Sequence, residues 1–167
     1  MEVWLRGPVP GVPPVFMPAA HALLGALEDM QKVVSELSPD ELWSRPGGAA
    51  PVGFHLRHVA GSTDRLFTYA RGQGLDDAQR AALAAEQDPG DPPPSAEDLI
   101  AGLRSAVEAA IDILRQSDPD TATEPRPVGR AGLPSTVLGL FFHAAEHAQR
   151  HTGQAIATAK ATRGGIR

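Results

Sequence analysis

From Phe16 to Leu37 the apolar residues recur at alternating intervals of four and three: Phe16, Ala20, Leu23, Leu27, Met30, Val34 and Leu37. That rhythm predicts a helix with one apolar seam. Ser38-Pro39-Asp40-Glu41 follows as a cap, a proline at the first helical position and a capping-box glutamate, which predicts a short turn through Trp43. Arg45-Pro46-Gly47-Gly48 is loop. A second stripe, Val52, Leu56, Val59, Ala60, Thr63, Leu66, Phe67 and Ala70, predicts a helix from 52 to 69 or 70, ended by Gly72-Gln73-Gly74. Residues 76–87 are alanine-rich enough for a short helix, and Asp88-Pro89-Gly90-Asp91-Pro92-Pro93-Pro94 is a firm break. Ser95, with Asp98 three residues on, caps a third long helix whose inward face is Leu99, Leu103, Val107, Ala110 and Leu114. After a loop over 117–134, Ser135 caps a last helix reaching about Ala161, with Val137, Phe141, Ala144, Ala145, Ala148, Ala155, Ile156 and Ala159 as its stripe. No run alternates as a strand would. The expected fold is all-α, an up-down four-helix bundle.

Residues 1–15 stand outside this pattern. Gly7-Pro8, Pro10-Gly11 and Pro13-Pro14 rule out regular helix, so an extended arm over 1–15 is expected ahead of a bundle domain over 16–163. Met17, Leu24 and Val33 carry apolar surface beyond the seam of the first helix. Surplus of this kind predicts a second contact, here a homodimer packed across helices near the N-terminus, unless the arm folds back over it.

Composition narrows the chemistry. The chain of 167 residues is long enough to bury one core without cross-links. It has no cysteine, which fits a reducing compartment and excludes disulfides, thiolate ligands and a thiol nucleophile. A metal would have to be held by imidazole, carboxylate or water. The net charge of −5 argues against a nucleic-acid partner. No apolar run approaches the roughly 20 residues that cross a bilayer, and residues 1–14 lack a signal peptide's apolar stretch, so no membrane partner and a cytoplasmic location are expected.

Five of the six histidines fall in two clusters: His55 with His58, and His143, His147 and His151 at i, i+4, i+8. Residues four apart lie one above the other on a helix, so His147 and His151 can offer nitrogens to one point in space. Measured from Phe141 at the centre of the last stripe, His151 lies about 80° away, His147 about 120° and His143 about 160°. His147 and His151 therefore share a flank where two helices would form a cleft, while His143 points further out. The plain alternative is a row of solvated histidines on a polar face. In the second helix His55 lies nearer the apolar stripe than His58, and the helical wheel does not choose between them. The sixth histidine, His21, has no partner in the sequence pattern and receives no role. His143-Ala-Ala-Glu146-His147 also matches the H-x-x-E-H pattern of inverted zinc proteases. No Asp or Glu follows Glu146 to supply the acidic third ligand, so that reading fails, and Glu146 reads as a surface residue beside Arg150. Neither G-x-S-x-G nor a nucleotide-binding glycine motif is present in context.

Two stretches carry a resemblance. Pro51-Val52-Gly53-Phe54-His55-Leu56-Arg57-His58-Val59-Ala60 resembles the opening of the second helix in the DinB-like superfamily, and His147-Ala148-Gln149-Arg150-His151-Thr152-Gly153-Gln154 resembles its fourth-helix H-x-x-x-H-R-G-Q signature. Element order and length agree from about residue 16 to 160. Thr152 departs from the arginine common there, which leaves an anion-binding role at that position without its residue. The resemblance implies a four-helix bundle of the DinB/YfiT-like type with a divalent ion, zinc or nickel, on three histidines. Carried over, these are His58, His147 and His151, with His58 in the family position of the second helix. Members with known activity are glutathione-transferase analogues using low-molecular-weight thiols such as bacillithiol or mycothiol, and homodimers are common. Three protein ligands leave coordination positions open, as in catalytic sites. A thiol bound there would ionise and supply the nucleophile that this cysteine-free chain lacks. The resemblance thus implies a metal-dependent thiol S-transferase acting on a small electrophile. The alternative is a non-catalytic, metal-stabilised binding or interaction protein of a stress response.

Overall fold

Capping chemistry decides where the helices of this chain begin. The computed structural model describes residues 1–164. Within them run α1 (Met17–Val34), α2 (Pro39–Leu42), α3 (Val52–Ala70), α4 (Asp77–Ala85), α5 (Ala96–Gln116) and α6 (Val137–Arg163). Ser38, Asp76 and Ser95 each accept a hydrogen bond from the third helical N–H, while Glu41, Gln79 and Asp98 respectively bond back to the cap's own N–H. These are three complete capping boxes. Each satisfies two backbone donors that would otherwise lack partners. At α6 the cap is Thr136, whose hydroxyl accepts from Gly139 N–H, not Ser135 as expected. The reason lies in the preceding loop. Arg126 N–H donates to the Ser135 carbonyl and Pro125 pairs with Thr136 in an isolated bridge, so the chain is held extended through Thr136. Only Val137 is free to turn.

The fold is all-helical, and among the described residues two isolated bridges are the only extended pairing. The course of the four long helices departs from simple alternation. Phe141, one turn into α6, packs on Phe16 just before α1 (ring centroids 5.2 Å) and on Phe67 near the end of α3 (4.8 Å). At its other end α6 meets Ala50 ahead of α3 through Thr158, and Glu36 beyond α1 through Arg163. So α1 and α6 run one way and α3 the other. Helix α5 starts beside Trp43, which donates to the Pro94 carbonyl and also covers the start of α3 at Gly53. It ends where Arg115 donates to the Pro10 carbonyl of the arm. Thus α5 runs with α3, and the order is up, down, down, up. The expected up-down alternation is corrected on this point. Because α3 and α5 are parallel, the chain between them must return along the bundle, and α4 lies on that return path.

The packed interior follows the predicted stripes. Phe16, Leu23, Met30, Leu56, Leu103, Leu114, Phe67 and Phe141 are all fully buried. The arm is docked, with Val12 inside the core, Arg6 paired with Glu28 at 2.6 Å, and His21 Nε2 bonded to the Gly7 carbonyl at 3.0 Å. Val9 N–H meets the Met17 sulfur at 3.2 Å, and Met17 and Leu24 are half-buried against the core. The arm has therefore folded back over part of the apolar surplus from which a homodimer is expected. None of the described helices is long and apolar enough to cross a membrane.

Candidate metal centre

The antiparallel contact of α3 with α6 places the histidines. Ala144, Ala145, Ala148 and Ala155 on α6 are buried and small, which lets the two backbones approach. His58 then meets His147 across the seam, Nε2 to Nε2, at 2.8 Å. The His151 ring lies 4.5 Å from both the His58 and His147 rings, centroid to centroid. One nitrogen from each of His58, His147 and His151 falls within 4.8 Å of the others, so this three-histidine group could bind a metal ion. Phe54 stacks on the outer side of His58 at 5.3 Å, with ring planes 14° apart.

What surrounds these rings decides their chemistry. His58 Nδ1 donates to Glu86 Oε2 at 2.7 Å, and the other Glu86 oxygen lies 2.6 Å from the Arg65 guanidinium. Burial alone would raise the Glu86 carboxyl, but the His58 hydrogen bond and the Arg65 guanidinium beside it outweigh that and hold the group below its ordinary value. A carboxylate on Nδ1 fixes the proton there and turns the Nε2 lone pair toward the cluster, the orientation a metal-ligating histidine requires. His151 has a comparable outer partner, since its Nδ1 lies 3.0 Å from His55 Nδ1. His55 and His151 are both pushed down to about 4, first by burial and then by neighbouring imidazoles. His147 is lowered for the same leading reason. Lowered values keep His147 and His151 neutral at ordinary pH, the protonation state in which imidazole binds metal. His147 Nδ1 is buried and has no hydrogen-bond partner, leaving Nε2 as the atom through which this ring acts. Two Nε2 atoms 2.8 Å apart require a proton or a cation between them. The donor set, all nitrogen with no thiolate, suits a borderline divalent ion.

The other sequence candidates separate cleanly. His55 is the inward residue, as its place on the wheel indicates, but it sits behind His151 and outside the three-nitrogen group. His143 is exposed and lies 3.7 Å from Glu146, which binds Arg150 on the surface. His21 is taken up by the arm. Thr152 is buried, and its hydroxyl donates to the Ala148 carbonyl at 2.8 Å, so this position faces the interior and not a ligand. Glu86 and Arg65 are the residues that the sequence did not disclose. Glu86 lies 28 positions from His58, at the end of an unremarkable alanine-rich run, and only the return path of the chain brings it in.

Comparison with known proteins agrees with this architecture. The sequence profile of the DinB superfamily matches residues 22–155. No curated protein matches the chain. The crystal structure of a conserved protein from Enterococcus faecalis is similar with a TM-score of 0.68 at 18% identity, over 87% of this chain and 95% of that one. At that identity the likeness is one of fold.

Proposed function

This chain belongs to the DinB superfamily, and on that premise we propose that His58, His147 and His151 hold a divalent ion, zinc or nickel, in a metal-dependent thiol S-transferase. The observation that carries the proposal is the convergence of three imidazoles from α3 and α6, with no fourth protein ligand in the group among the described residues. Such a set leaves room for a substrate atom. When bound, the ion would supply the positive charge that ionises a thiol of the bacillithiol or mycothiol type at neutral pH. The chain's own part is to present lone pairs. Glu86 keeps the His58 proton on Nδ1, His55 meets the Nδ1 of His151 from behind, and Phe54 shields one side of His58.

A cytoplasmic location belongs to the same proposal, because a cysteine-free chain working on thiols fits a reducing compartment. A homodimer would use the apolar surface that the arm leaves uncovered near Val33. Light scattering at micromolar concentration, giving twice the chain mass, is the check.

The competing reading is a non-catalytic binding or interaction protein stabilised by its metal. It is favoured by the way the cluster ties α3, α6 and the segment bearing Glu86 together. A panel of low-molecular-weight thiols with monochlorobimane separates the two. Conjugation that requires metal and disappears in His151→Ala supports the transferase, and no metal-dependent conjugation with any thiol supports the alternative.

A further inference from the structure

Helix α4 is nine residues long and none of them is buried. Its alanines and the half-exposed Leu83 contribute little to the core, so apolar packing does not hold the return segment against α3. Polar contacts hold it instead. At one end Gln79 donates to Asp64 at 2.7 Å and to Thr68 at 2.8 Å. At the other end the Arg57 guanidinium donates to the Asp88 carbonyl. Between them Glu86, 7% exposed, is the one buried anchor, gripped by Arg65 and by His58.

The helix opposite is shaped for that anchor. Gly61 sits mid-helix in α3, where glycine costs about 1 kcal/mol relative to alanine. A Cβ there would lie 2.7 Å from both the Arg65 guanidinium and Glu86 Oε1, closer than side-chain carbons are found. The glycine therefore makes room for the Arg65–Glu86 pair. A buried arginine, a buried carboxylate and a cleared helix surface meet at the outer nitrogen of one candidate ligand.

We propose that Glu86 is a positioning residue for His58, through which ion binding at the histidine cluster and docking of the return segment 76–94 reinforce each other. This rests on the metal reading given above. A cation on Nε2 withdraws charge from the ring and makes Nδ1–H a stronger donor, which tightens its bond to Glu86 and so holds the segment down. Linkage makes the effect reciprocal: whatever the ion adds to docking, docking adds to ion affinity by the same factor. Without Glu86, His58 is free to place its proton on Nε2, the tautomer that cannot bind.

The test uses the full chain freed of metal, with zinc alone as the probe, and compares wild type, Glu86→Gln, Glu86→Ala and Gly61→Ala. Zinc affinity is read by chelator competition and segment order by amide hydrogen exchange over 76–94. Wild type should show slower exchange there once zinc is added. Glu86→Ala should bind zinc about 10- to 100-fold more weakly and lose that zinc-dependent protection. Glu86→Gln should fall between, because the amide oxygen still accepts but carries no charge. Gly61→Ala keeps the carboxylate yet displaces it, and should move both readouts in the same direction. Should Glu86→Ala fail to fold, Glu86→Gln and Gly61→Ala decide. Zinc binding as tight as wild type in the Glu86 variants overturns this inference and leaves the metal reading standing. Weakened binding with wild-type protection over 76–94 overturns the coupling. A wild type that takes up no zinc overturns both.

Discussion

Two long, proline-rich connections join the helices of this bundle, and they do different work. The loop between α5 and α6 stays at one end and is closed mainly by backbone bonds: Val137 N–H to the Glu124 carbonyl, Leu138 N–H to that of Ala122, and Arg126 N–H to that of Ser135. Its product is the starting point of α6 and the aromatic contact of Phe141 with Phe16 and Phe67. The connection from α3 to α5 travels the length of α3 and is fixed by side chains, among them Glu86 on His58. One sets the register of the helix that bears two of the three candidate ligands, His147 and His151. The other reaches the third histidine from outside. A carboxylate beside a candidate metal site is thus a product of topology. Had α5 run opposite to α3, the intervening chain would have had no reason to pass His58.

The comparison can be broken at either connection. The largest effect belongs to the loop end. Phe141→Ala removes a fully buried ring and should cost about 4 kcal/mol in denaturant unfolding, without touching a histidine contact. If the folded variant loses its metal as well, the two regions are not separable. Next comes the return segment. Arg65→Met leaves the buried Glu86 carboxylate without its cation and should destabilise by about 3 kcal/mol, with faster exchange over 76–94 than elsewhere. Uniformly distributed exchange would argue against a locally held segment.

A pH effect of intermediate size follows from the histidines. His55 and His151 have folded values of about 4 against an ordinary 6.5. Between these limits the unfolded chain binds more protons, so stability falls as pH drops through the window and is unaffected by these groups above it. Metal-free protein should show this loss, and His55→Ala should show less of it. A flat profile from 7 to 4 would contradict a neutral His55 and His151 in the folded chain. The smallest effect is at the cap: Thr136→Ala should cost about 1 kcal/mol and fray the first turn of α6, measurable by thermal unfolding.

These cases also show what the sequence can disclose. Apolar stripes repeat every helical turn, so the long helices and their inward faces could be read directly. Capping boxes are local in sequence, and Ser38 and Ser95 were legible for that reason. Thr136 was not, because its extended backbone is imposed by Arg126 and Pro125, ten or so residues away. The helical wheel places His55 nearer the apolar stripe without choosing a ligand, and His55 is buried behind His151, away from the common point. His58 stands at the rim because a shared site between two helices lies at the edge of their seam. The direction of α5, and with it the arrival of Glu86, depends on how far a connection travels, and no periodicity records that.

The central claim is the three-histidine metal site, and its most direct measurement is metal content per chain by mass spectrometry of purified wild type, His58→Ala, His147→Ala and His151→Ala, with His143→Ala and His21→Ala alongside. The account predicts about one zinc or nickel ion per chain in wild type and in the two outlying variants, and near-complete loss in the three site variants. Occupancy unchanged in His147→Ala and His151→Ala, or equal loss when His143 is replaced, would contradict it.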